Sequence, residues 1–243
     1  MNLFRSLRER IGSLIGAVIG TVVLLGCGLL FVFFLAPRQK IEAQRIERLP
    51  MMDAGTVESA APGDELLITG RLQGELLLEM KDYIAYELET WQVTTDTTDD
   101  GDRQTSGSWN RVETRIPDLR LDVGGLWVDV LPSADGNLSG PLHEMLIRSA
   151  SGETATYDGQ QLSDGSQRYQ GFYNGDLATV WGQKAASGGI VPDELFAGDR
   201  VAFVASQHAA AQGLLIAGIA MLVCSPVVLV GGVLSAIFGR RKR

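Results

Sequence analysis

The sequence predicts a mainly β fold, α+β overall, with one antiparallel β-rich domain inserted between two transmembrane α-helices. Three observations carry this. Residues 11–36 (IGSLIGAVIGTVVLLGCGLLFVFFLA) and 214–239 (LLIAGIAMLVCSPVVLVGGVLSAIFG) hold no charged side chain, and each exceeds the roughly 20 residues that cross a hydrocarbon core. Between them, short segments alternate apolar and polar residues with the period of a strand and are punctuated by glycine. Charge divides at the same boundaries: 28 of the 29 acidic residues lie in the middle segment, whereas seven of the 21 basic residues flank the apolar blocks at the two ends.

The N-terminal tail, residues 1–10, carries Arg5, Arg8 and Arg10, and the C-terminal tail, 240–243, is wholly basic. Basic tails favour the cytoplasmic side, so both termini are expected in the cytoplasm and the middle domain outside a cell membrane; Arg38, Lys40, Arg45 and Arg48 pull the other way. The apolar run at 11–36 is too long for a signal-peptide core and no A-x-A-like site follows it, so an uncleaved anchor is expected. Residues 37–50 read as a short stalk helix with Ile41, Ile46 and Leu49 on one side, closed by Pro50.

A β-domain is expected over residues 51–207. ELLITGRLQGELLLE, broken at Gly70 and Gly74, predicts two strands with a turn or bulge. YIAYELETWQV (83–93) alternates, setting Ile84, Tyr86 and Leu88 against Glu87 and Glu89 as a half-buried strand does. Residues 94–108, TTDTTDDGDRQTSGS, contain no aliphatic or aromatic side chain, and the composition predicts a mobile acidic loop. DLRLDVGGLWVDVLP (118–132) predicts a hairpin turning at Gly124-Gly125: Val123 opposes Leu126, Leu121 opposes Val128 and Leu119 opposes Val130, while Arg120 meets Asp129 on the polar face with Trp127. A strand at 142–149, a Gly/Ser/Asp-rich loop (GETATYDGQQLSDGS), RYQGFYNGDLATVWG and ELFAGDRVAFVAS complete the domain, and the second span follows.

The chemistry on offer is thin. The middle segment holds 14 basic against 28 acidic residues, a net charge of −14 that repels nucleic acid. Cys27 and Cys224 both lie inside the apolar blocks, so neither a zinc site nor a disulfide of the β-domain is expected, and no metal, cofactor or catalytic residue is assigned. Counted from Asp96, the acidic loop places Gly101 sixth but Thr98 third and Gly107 twelfth, where a calcium loop needs oxygen ligands. His143, beside Glu144, and His208 have no nucleophile motif with them, and Asn137-Leu138-Ser139 is a glycosylation sequon only. Gly12, Gly16 and Gly20, and likewise Gly231, Ser235 and Gly239, recur every four residues, a spacing that lets helices approach closely. Packing of the two stripes within one molecule is the expectation, and homo-oligomerisation through either stripe is the competing use. No ionisable residue lies in either block, which argues against an ion pathway.

Taken in order, the span, the short helix, APGDELLITGRLQG, DYIAYELETWQ, a polar insertion, WNRVETRIPDLRLDVGGLWVDVLP, RYQGFYNGDLATVWG, ELFAGDRVAFVAS and the second span resemble the GIDE-type family. These are the mitochondrial ubiquitin ligase activator proteins, and the likeness is to their beside-a-membrane domain. The matching positions include Gly70, Tyr86, Asp122, Gly125, Gly175, Asp176 and Gly182. The resemblance implies a β-rich domain between two spans, facing the intermembrane space in animal members, with ubiquitin-transferase activity in a zinc-bound RING after the second span. Here FGRRKR offers no cysteine for a RING, and a RING-less form without a transit peptide is the form expected of a prokaryote. The expected function is therefore non-catalytic: a two-span membrane protein displaying a β-domain to a protein, lipid or envelope partner, with Trp127 either as a contact or as an edge tryptophan covered by a neighbouring strand or loop. The alternative is a RING-less member of the membrane E3 ubiquitin ligase family acting with a separate catalytic subunit.

Overall fold

The computed structural model describes residues 2–50, 52–78, 82–97 and 102–238, as backbone alone for 2–14 and 235–238. Two compact units result: Met1–Arg48 with Val204–Arg243, which is helical, and Leu49–Phe203, which carries the strands.

In the helical unit, α1 (Asn2–Leu30) passes through a π-helical segment, Phe31–Leu35, into α2 (Ala36–Arg48). Where the sequence predicts a span ending at 36 and a separate stalk, the helix runs on. The π segment explains how. Pro37 has no N–H to give and would crowd the carbonyl four residues back, and a π turn, with the Ala36 N–H donating to Phe31 O, absorbs the mismatch. Ile46 and Ala43 are buried, but Ile41 is 66 % exposed. Five residues place positions 41 and 46 about 140° apart on a helix, so the two isoleucines do not share a face.

The last helix, α4 (Arg200–Phe238), is antiparallel to the first, with contacts that pair rising numbers on one side with falling numbers on the other: Ala17 with Gly232, Thr21 with Ser225, Gly28 with Leu222 and Gln39 with Gln207. Both Ile15–Arg48 and Arg200–Leu234 are long and apolar enough to cross a membrane. The seam between them differs from the predicted stripes. A Cβ on Gly16 or Gly231 would meet nothing within 4 Å, and one on Gly20 would only touch Val228 at 3.8 Å. The surroundings of Gly12 and Ser235, and Gly239 altogether, lie outside the described residues.

The buried small residues are instead Ala211, Gly218 and Ser225 on α4, facing Thr21, Gly28, Ala36 and Ala43. Their interval is seven residues, that of a left-handed helix pair. It becomes eight only between Gly28 and Ala36, where the π segment inserts its extra residue and so keeps the later positions on the seam. At the centre the Ser225 hydroxyl donates to Thr21 O at 3.2 Å, and the Thr21 hydroxyl donates to Ala17 O at 2.7 Å.

In the second unit a short helix, α3 (Ala54–Ser59), precedes twelve strands among the described residues. These are β1 (Glu65–Gly74), β2 (Tyr83–Thr97), β3 (Arg103–Arg115), β4 (Leu119–Val123), β5 (Leu126–Val130), β6 (Asn137–Ser139), β7 (His143–Ile147), β8 (Thr154–Tyr157), β9 (Gln160–Ser163), β10 (Gln167–Tyr173), β11 (Leu177–Lys184) and β12 (Ile190–Ala197). The fold is the antiparallel, β-rich one that the alternating segments predict.

Five strands close a barrel: β1 lies between β11 and β4, β4 pairs with β5, β12 pairs with β11, and one parallel contact, Ile190 with Val130, joins β12 to β5. Counting barrel strands only, the first is flanked by the second and fourth, and the third runs parallel to the fifth. That is the circuit of the OB barrel, here with long insertions. Leu66, Ile68, Leu121, Val130, Val180 and Leu195 fill the interior. The insertions form a second antiparallel sheet, β3-β2-β10-β7, and the hairpin β8-β9. Ile84, Ala85 and Phe172 carry the barrel core into that sheet.

Four expectations change here. β1 is one strand rather than two: Glu65–Arg71 pair with β11 and Arg71–Gly74 with β4, and the strand runs unbroken through Gly70, the first break the sequence suggested. Residues 94–97 and 103–108 are paired, Thr94 with Ser106 and Thr97 with Arg103, so both flanks of the expected acidic loop are strand. The polar composition was misleading because threonine suits a pleated strand and backbone pairing needs no apolar side chain; residues 98–101 lie outside the described residues. The Gly/Ser/Asp-rich loop contains β8 and β9, joined by Asp158 (φ 46°) and Gly159 (φ 74°), the positive pair of a type I′ turn. Finally, ELFAGDRVAFVAS is strand only to Ala197. Gly198 turns the chain, Asp199 accepts from the Ala202 N–H at 2.8 Å as a helix cap, and α4 begins before the predicted span.

Candidate interaction surface

The hairpin β4-β5 has the predicted register, Leu119 with Val130 through Val123 with Leu126. Leu119, Leu121, Val128 and Val130 are buried, and Arg120 faces Asp129 at 3.5 Å, exposed. Gly124 and Gly125 both take positive φ (64° and 92°), and the Asp122 carboxylate accepts the Gly125 N–H at 2.8 Å, which fixes the turn. A rigid turn therefore presents two large apolar side chains to solvent, Trp127 at 51 % and Leu126 at 59 % exposure. They border a depression of about 300 Å³ whose other walls are α3 and the β11-β12 loop around Gly188 and Gly189, with Lys184 at its side. The Asp53 carboxylate caps α3, accepting the Thr56 N–H at 2.7 Å and the Thr56 hydroxyl at 2.6 Å, and these bonds hold its pKa below the usual value. Sequence reading passed over this helix, although Asp53 before AGTVES is the signal of a cap.

The positions that carry the family resemblance sit at points of backbone geometry. A Cβ at Gly70 would lie 2.8 Å from Leu121 Cγ and 3.0 Å from the Asp122 carbonyl carbon, and one at Gly182 would collide with the Val191 carbonyl beside a bulge in β11-β12. Gly175, at φ 88°, turns β10 into β11, and Asp176 accepts the Tyr173 N–H across that turn at 2.7 Å. Tyr86 is buried and packs on Tyr169.

Two polar clusters lie on the second sheet. His143 stacks on Tyr173 with centroids 4.0 Å apart and meets Asp176 at 3.2 Å, tying β7 to the turn after β10. On the opposite pleat Glu87 pairs with Arg111 at 2.8 Å, and Arg168, ion-paired with Glu89, lies 4.6 Å over the Trp109 ring. Trp91, Trp109 and Tyr157 form a three-ring cluster there, with centroids 5.1 to 5.4 Å apart, covered by β8-β9. Among the described residues no group of histidine, cysteine and carboxylate side chains could hold a metal ion.

Burial holds the Glu87 carboxyl above its usual value, and the Arg111 guanidinium offsets part of that shift. A carboxyl harder to ionise folded than unfolded contributes stability that is present below its unfolded pKa and lost as pH rises through the folded one. Glu87→Gln should therefore gain on the wild type as pH rises from the acid side to neutrality. Urea melts across that range check this, and parallel profiles would contradict it.

No family model, no curated protein and no solved structure matches this chain.

Proposed function

We propose that this chain is a two-span membrane protein that displays a non-catalytic β-domain for binding a protein, lipid or envelope partner. Both tails are cytoplasmic and the β-unit stands outside the cell membrane, as a relative of the beside-a-membrane domain of the GIDE-type proteins. The observation that carries the reading is the β4-β5 tip, where Trp127 and Leu126 are held exposed on a fixed turn. Exposed aromatic side chains on rigid supports are the residues that dominate binding energy at interfaces. The two helices Ile15–Arg48 and Arg200–Leu234 support the membrane part of the reading by length and composition.

A photoreactive amino acid at position 127, irradiated in native membranes, should give reproducible adducts that the same group at Gln161, exposed on β9, does not give. Equal adduct patterns would overturn the assignment of the tip. Trp127→Ala should weaken capture of that partner about tenfold or more while moving stability by under about 1 kcal/mol, because the side chain is half exposed. For orientation, a cysteine placed at exposed Ser151 should react with an impermeant label on intact cells, and protection would reverse the topology.

A further inference from the structure

We infer that a groove between α2 and α4 binds one anionic phospholipid of the surrounding bilayer. The inference rests on the two-span reading above. The groove, about 400 Å³, lies wholly in the helical unit beside the π segment. Its floor is made by two buried small residues of the seam, Ala36 and Ala211, and its apolar walls by Val32 and Leu215. Lys40, His208 and Gln212 are its polar lining.

The position identifies the occupant. From Ala36 back to Ile11, and from Ala209 on to Phe238, no residue is charged, whereas Arg38 and Lys40 follow directly on one helix and His208 precedes on the other. The groove thus spans the level at which hydrocarbon gives way to headgroups, and its neighbour there is a lipid. Charge selects which lipid. α2 carries four cations against two carboxylates. Glu47 is engaged by His208 at 3.1 Å and Glu42 by Arg45 at 3.9 Å, and Lys40 has no hydrogen bond or ion pair among the described residues. A free ammonium at the mouth of an apolar groove complements a phosphate headgroup whose acyl chains continue along the walls.

The test uses the full chain in phosphatidylcholine nanodiscs with and without a minority of phosphatidylglycerol, read by native mass spectrometry of retained lipid. Phosphatidylglycerol should be retained in preference to phosphatidylcholine. Lys40→Gln should reduce that preference about fivefold, the value of one cation at an anionic surface, and Lys40→Glu should abolish it. Arg48→Glu, which makes the same charge change outside the groove, should leave it intact. Equal loss in Arg48→Glu would show a diffuse surface effect and overturn the site. Displacement of the lipid by inorganic phosphate at equal concentration would also overturn it, because the site would then take the free anion. Carbonate extraction separates the two readings. Protein released by carbonate refutes the two-span reading, while carbonate-resistant protein without lipid preference refutes the groove alone.

Discussion

Gly70→Val is expected to destabilise the β-unit by about 3 kcal/mol, a large share of the roughly 5–15 kcal/mol that holds a domain folded. β1 serves two neighbours in turn: Arg71 is opposite both Leu177 of β11 and Asp122 of β4, and Gly70 lies one residue before this hand-over. At Gly70 a Cβ would sit 2.8 Å from Leu121 Cγ and 3.0 Å from a backbone carbon of Asp122. A flexible side chain could yield, but a paired backbone cannot, so valine must push β1 away from β4 and open the barrel. All four tryptophans lie in the β-unit, so fluorescence-detected urea unfolding of the full chain follows this unit alone. The control is Gly124→Asn, whose position is open and whose positive φ asparagine tolerates in a type I′ turn; it should move the midpoint little. An unchanged midpoint in Gly70→Val would remove the account of β4 packed closely against β1 at this glycine.

The contrast between these two glycines marks how much was legible in the sequence. The β4-β5 register could be read to the residue because the turn and the alternation on both sides agree; it put Trp127 on the polar face, but whether a neighbouring strand or loop covers the ring depends on tertiary packing and was not legible. The Asp158-Gly159 turn carries the same signal, but its flanks are rich in Gly, Ser and Asp, and composition outweighed the turn. Asp53 and Asp199 both cap helices, and each was hidden where a segment looked like a lead-in or a strand. Barrel closure was not legible in kind. It depends on one parallel contact between Ile190 and Val130, sixty positions apart, and no local pattern encodes that partner. Nor could the role of Gly70 be read without β4 beside it: glycine marked a break, whereas its use is the close approach of Leu121 and Asp122.

The helix seam is where local pattern and structure disagree most, and it sets up the second large effect. Gly218→Leu should separate the helices of the helical unit, at a cost of about 2–3 kcal/mol. A Cβ at Gly218 would already lie 2.8 Å from Val32 Cγ2, 2.9 Å from Phe31 Cβ and 3.2 Å from the Gly28 carbonyl oxygen, and a leucine adds three further carbons in the same direction. In lipid no hydrophobic force repays that displacement, because bilayer chains are as apolar as the helices and association depends on close packing. Gly231→Leu should be silent, since nothing lies within 4 Å of the added carbon. Cysteines introduced at Gly20 and Val228, in a chain with Cys27 and Cys224 replaced by serine, provide the readout. A Cβ at Gly20 lies 3.8 Å from Val228 Cγ1, the atom that a cysteine sulfur there would replace in one rotamer, so an intramolecular disulfide should form, persist in Gly231→Leu and be lost in Gly218→Leu. The reverse result would restore the four-residue stripe of Gly231, Ser235 and Gly239 as the contact face. The expected result instead assigns the contact to small residues spaced by seven, kept in phase across Pro37 by the single extra residue of the π segment.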